Sequence, residues 1–95
     1  MDLQNARLQL NKIDEEMKQL FLQRMQIVRQ IAAYKKMNHI AIYDSQREAE
    51  MKKRLTADLS EDTREDYLQF LAVLLTISKN AQARKNKESF NTKKR

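Results

Sequence analysis

The chain has 95 residues, room for one domain, and sets 19 Lys and Arg against 13 Asp and Glu for a net charge of +6, with no Gly, Pro or Cys and a single His. A lone domain of this size buries only about two-thirds of the surface its unfolded form exposes, so association with a second copy favours stability. The absence of Cys excludes disulfides, thiol nucleophiles and thiolate zinc sites, one imidazole does not make a metal cluster, and the absence of Gly and Pro leaves no helix breaker, which points to an all-α fold.

The chain opens on Asp2 and quickly turns amphipathic, without the basic flank and apolar core of a signal peptide. No run is long enough to span a bilayer, so a cytoplasmic protein with no membrane partner is expected. The first element shows a seven-residue register, with Leu3, Leu10, Met17 and Ile31 on one row and Ala6, Ile13, Leu20, Ile27 and Tyr34 on the next. Such a pattern predicts a long helix of about nine turns, packed along most of its length against other helices. Arg24 stands where the first row is due an apolar residue. A lone charge in an apolar seam is costly unless something pairs with it.

After Lys36 the pattern lapses from Met37 to Tyr43, the expected connecting loop, with a possible extended stretch. Asp44 or Ser45 then caps a second helix, and Ser45 with Glu48 fits a capping box. Its inward stripe is Asp44, Arg47, Glu48, Met51 and Leu55, polar in the first turn and apolar beyond it. A break near Asp58, Leu59 and Ser60 leads to a third helix, with Ser60 or Asp62 as cap, running to about Arg84. Its stripe is Tyr67 or Leu68, Leu71, Leu74 and Leu75, then Ser78, Ala81 and Gln82.

The charge is unevenly placed: from Arg84 onward six cations face only Glu88, a net of +5, which leaves +1 for the rest of the chain. Residues 1–84 therefore form the expected domain, and residues 85–95 a basic tail, either a frayed helix end or a disordered segment. With one aromatic, Phe90, and no base-reading module, the tail is expected to keep the protein soluble rather than to bind nucleic acid.

Each helix interrupts its own inward stripe with polar residues: Arg24 on the first, Asp44, Arg47 and Glu48 on the second, Ser78 and Gln82 on the third. A polar pocket within a helical bundle accounts for all three interruptions. Lys35 belongs with them, because eleven residues after Arg24 it lies about 16 Å along the axis and only about 20° around it. Arg and Lys in such a pocket suit a ligand with carboxylates. No nucleophile and base pair is evident, so catalysis rests on holding a dianion in a reactive shape and stabilising charge as bonds shift. Taken singly, Arg47-Glu48 is a charged first turn, Ser78 and Gln82 a polar helix end, and Lys35 half of a solvated pair with Lys36. His39 is a loop residue with no catalytic role, and Tyr34 and Tyr43 are candidates for the pocket rim.

The ordered set of Arg7, Ile13-Asp14, Arg24, Lys35, Asp44-Ser45-Gln46-Arg47-Glu48, and Ser78 with Gln82 four residues on resembles the AroQ-type, all-helical chorismate mutases, over nearly all of the chain from Leu3 to Gln82. The resemblance implies a three-helix protomer with a long first helix, an intertwined homodimer with two sites, and the rearrangement of chorismate to prephenate in phenylalanine and tyrosine synthesis, with no cofactor or metal. By the same resemblance Arg24 and Arg7 from the partner chain grip the two substrate carboxylates. Lys35 binds a carboxylate and donates to the ether oxygen, to which Gln82 also donates. Glu48 accepts from the ring hydroxyl, Asp44 and Arg47 shape that end, and Ser78 adds a hydroxyl. Arg7 lies seventeen residues before Arg24, roughly 25 Å along a straight helix, so it does not readily reach the same ligand, whereas an antiparallel partner helix would bring its own Arg7 there. The alternatives are an isochorismate-pyruvate lyase of the same fold, or a non-enzymatic helical binding module that uses the basic tail.

Overall fold

The computed structural model describes the backbone of residues 1–94 and the side chains as far as Lys87. It contains three helices, α1 (Leu3–Met37), α2 (Ser45–Thr56) and α3 (Glu61–Lys94), and no strand among the described residues. Asp2 caps α1, its carboxylate accepting from the Gln4 backbone N–H at 3.0 Å. The 35 residues of α1, at about 1.5 Å per residue, nearly match the 59 Å length of the molecule.

With no glycine to stop it, α1 ends on a histidine in the left-handed region. His39 has φ 56°, the Ile40 N–H reaches back to the Lys35 carbonyl at 2.8 Å, and the His39 N–H reaches the Lys36 carbonyl at 3.4 Å. These are the two bonds of a Schellman cap, which usually places glycine where His39 stands.

The cap of α2 is Asp44, whose carboxylate accepts from the Arg47 N–H at 3.0 Å; Ser45 is the first helical residue, so the Ser45–Glu48 capping box does not form. Four residues, 57–60, turn the chain back, and a link this short makes α2 and α3 antiparallel neighbours. At the start of α3 the Ser60 carbonyl accepts from the Arg64 N–H at 2.8 Å and the Ser60 hydroxyl meets Thr63 at 3.0 Å, which places Ser60 rather than Asp62 at the cap. Arg64 ties the turn by donating to the Thr56 and Leu59 carbonyls, both at 3.3 Å.

α3 packs against both other helices. It runs parallel to α1: Arg24 meets Ser78, and twelve residues on, Lys36 donates to the Asn86 carbonyl at 2.8 Å. One core cluster joins Met25 and Val28 of α1 to Ala81, with Ile77 against it. The other joins Met51 of α2 to Leu71 and Leu75, flanked by Leu55, Tyr67 and Leu74. Ala32 is fully buried and lets α1 approach closely.

Two features depart from the sequence reading. α3 does not stop near Arg84: its backbone stays helical to Lys94, since nothing after Ser60 breaks a helix, and Lys36 of α1 bonds to it at Asn86. The side chains of the basic tail after Lys87 lie outside the described residues. The two apolar rows of α1 are not where α3 sits. Met25, Val28 and Ala32 are buried, whereas Leu3, Leu10, Ile13, Met17, Leu20 and Ile27 are each at least half exposed. α3 takes a third face of α1, and most residues of both rows stay exposed.

Candidate active site

Where α1 and α3 lie side by side and α2 begins, the three helices enclose a cavity of about 100 Å³. Arg24 and Lys35 enter it from α1, Asp44, Arg47 and Glu48 from the start of α2, and Ser78, Lys79 and Gln82 from α3, over an apolar floor that includes Val28, Met51 and Leu75. The polar interruptions of the three stripes thus converge on one place, and a pocket forms because none of them can complete an apolar core.

Arg24 is held by a relay. Its Nη1 donates to the Ser78 hydroxyl, which donates in turn to the Leu74 carbonyl at 2.9 Å. Ser78, buried on α3, therefore orients the guanidinium without neutralising it. Burial, and then the nearby charge of Arg47, lower the Arg24 pKa below the ordinary arginine value. Lys35 donates to the Ile42 carbonyl at 2.9 Å, drawing the α1–α2 loop across one end of the pocket, and its ammonium keeps two further donors.

The lining holds four cations, Arg24, Lys35, Arg47 and Lys79, against the two carboxylates of Asp44 and Glu48. Glu48 is paired with Lys79 at 3.2 Å, and Asp44 caps α2. The ion pairs among the described residues are this one and Arg54–Glu50, so Arg24, Lys35 and Arg47 have no carboxylate partner there. Gln82 is buried, and its Oε1 has no hydrogen-bond partner. An amide turned over presents its donor in the same place, because oxygen and nitrogen exchange positions. Two net positive charges and an unsatisfied amide in one pocket make a receptor for a small dianion with a further hydrogen-bonding group. Among the described residues no group of His, Cys, Asp and Glu is placed to hold a metal ion.

Of the residues expected at the site, Arg24, Lys35, Asp44, Arg47, Glu48, Ser78 and Gln82 come together here, and Arg7, exposed on the distal half of α1, does not. Lys79 escaped the sequence reading. It follows Ser78 directly, about 100° around the helix from the inward stripe, and reaches the pocket through its long stem. Neither Tyr43 nor Tyr34 lines the pocket and both are exposed, although the Tyr43 ring lies beneath the Lys79 ammonium.

The fold and the site define an all-helical protein with a cationic pocket between its three helices. Residues 6–83 match the family model of chorismate mutase type II, and the chain belongs to that family. The match takes in all of α2, most of α1 and α3 as far as residue 83, and every pocket residue. It marks the chain as an enzyme of the chorismate mutase type. No curated protein and no solved structure matches the chain significantly. No helix among the described residues is long and apolar enough to cross a membrane.

Proposed function

We propose that this chain is a cytoplasmic chorismate mutase, rearranging chorismate to prephenate for phenylalanine and tyrosine synthesis as a homodimer, without cofactor or covalent intermediate. The observation that carries the reading is the set of three cations without carboxylate partners, Arg24, Lys35 and Arg47, gathered beside the unpartnered amide of Gln82 in a chain of this family. Chorismate is a dianion with an ether oxygen and a ring hydroxyl, and the pocket offers a complement to each.

In the rearrangement the bond between a ring carbon and the ether oxygen breaks while a carbon–carbon bond forms between the enolpyruvyl methylene and the ring. No atom is gained or lost, so the protein has no proton to move. Its task is to hold the folded conformer and to meet the negative charge that grows on the ether oxygen. Arg24 grips one carboxylate; Lys35 grips a carboxylate and donates to the ether oxygen, joined there by the Gln82 amide. Glu48 accepts from the ring hydroxyl. Asp44 and Arg47 close that end, and Ser78 acts through Arg24.

The second carboxylate falls to Arg7 of the partner subunit. The shape of the protomer supports pairing: it is 59 Å long and 14 Å thin, its α1 rows are exposed, and α1 and the first half of α3 flank a groove of about 800 Å³. Met17, Leu20, Phe21, Phe70 and Val73 line it, a surface suited to the α1 of a second copy.

Purified protein assayed with chorismate and with isochorismate is expected to form prephenate from the first. Pyruvate from isochorismate without prephenate from chorismate would replace this reading with the lyase. An inactive protein whose salt-sensitive nucleic-acid binding disappears when residues 85–95 are removed would replace it with the binding module.

A further inference from the structure

Glu48 and Asp44 are the two carboxylates of the pocket, and Asp44 is engaged by the backbone of α2. Glu48 is engaged by Lys79, whose Nζ lies 3.2 Å from Glu48 Oε2 and 4.7 Å from the centre of the Tyr43 ring. The side chains of the pair keep 35% and 16% of their exposure, so the ammonium sits at the mouth and the carboxylate deeper in. Tyr43 immediately precedes the α2 cap, and Ile42 beside it is tied to Lys35. The α1–α2 loop is thus fastened from both sides, by a lysine of α1 and a lysine of α3.

A glutamate in a pocket with three other cations has a choice of partners. Left free, it would swing toward Arg24, Lys35 or Arg47 and cancel a charge that a dianionic ligand needs. Resting on the proposed mutase reading, we infer that Lys79 is a positioning residue: it holds Glu48 by one oxygen, keeps that carboxylate off the substrate-binding cations, and leaves the other oxygen to accept from the substrate hydroxyl. The face of Tyr43 anchors the ammonium in the orientation this requires. Lys79 touches no reacting atom and acts through Glu48.

Steady-state kinetics of a double-mutant cycle test this. Lys79→Met is expected to raise KM for chorismate and to lower kcat/KM by about tenfold, the rate equivalent of one charge-assisted hydrogen bond. Lys79→Arg is expected to recover most of that loss. In the Glu48→Gln background, where no carboxylate remains to compete for the cations, adding Lys79→Met is expected to leave KM within about twofold, because coupled residues give non-additive effects. Equal fold-losses from Lys79→Met in both backgrounds, with helix content intact, would overturn the inference while leaving the mutase reading in place. A parent protein with no prephenate production would overturn both. If Lys79→Met loses helix content, Lys79→Gln takes its place in the cycle.

Discussion

Arg24 bears the cost of the site. It is half-buried, faces the charge of Arg47, and has a neutral hydroxyl as its partner. Its lowered pKa means that the folded state disfavours the charged form. That penalty is present at every pH below the lowered value, neutral pH included, and is relieved only as pH rises through it, far into the alkaline range. Arg24→Leu removes a desolvated cation and leaves Ser78 bonded to the Leu74 carbonyl. The thermal midpoint of the variant, followed by circular dichroism, is therefore expected to hold or rise, while prephenate production falls by about a hundredfold or more, the scale of losing a fixed electrostatic donor. A large drop in midpoint would show instead that Arg24 is chiefly structural. Arg24 was legible in the sequence because it breaks a long register. Lys79 was not, because nothing in a helical repeat distinguishes a lysine that reaches back from one that stays in solvent.

At the scale of the element, the end of α1 shows what a chain without glycine gives up. A left-handed residue other than Gly costs about 1 kcal/mol, and His39 bears that cost to complete both cap bonds. His39→Gly is expected to stabilise the fold by about 0.5–1 kcal/mol, because the strain relieved exceeds the added freedom of the unfolded chain. For a domain of this size that is a rise in melting temperature of about 2–8 °C. Differential scanning calorimetry measures it, and a lower melting temperature would mean that the imidazole makes contacts worth more than the strain. The sequence marked this stop only by a lapse in periodicity. It left Asp44 and Ser45 both open as caps of α2, since either offers an oxygen, and the choice depends on which residue turns extended first. It ended α3 near Arg84 on composition alone, where the backbone had no reason to stop.

At the scale of the whole molecule, the three helices and the polar interruptions that meet in the pocket were readable from the 3.6-residue period. Which face of α1 meets α3 was not, because three apolar stripes compete on that helix and a sequence does not say which belongs to its own chain. α3 occupies Met25, Val28 and Ala32, and most of the two longer rows stays exposed. If those rows hold a second copy, the melting temperature is expected to rise with protein concentration. Mixing Arg7→Ala and Arg24→Ala chains, each nearly inactive, is then expected to restore activity, since each mixed dimer keeps one complete site. No recovery after demonstrated subunit exchange would show that the site is not shared.

The Arg24–Ser78 link joins residues 54 positions apart, whereas the α2–α3 turn is closed by neighbours such as Arg64 and Thr56. Loop closure favours the near pairing, so the hairpin is expected to form before α1 docks. The helix left for last is also the one with the largest exposed apolar rows. If a second copy covers those rows, finishing the fold and finding the twin become one event, and until that meeting the apolar surface stands open to every other chain.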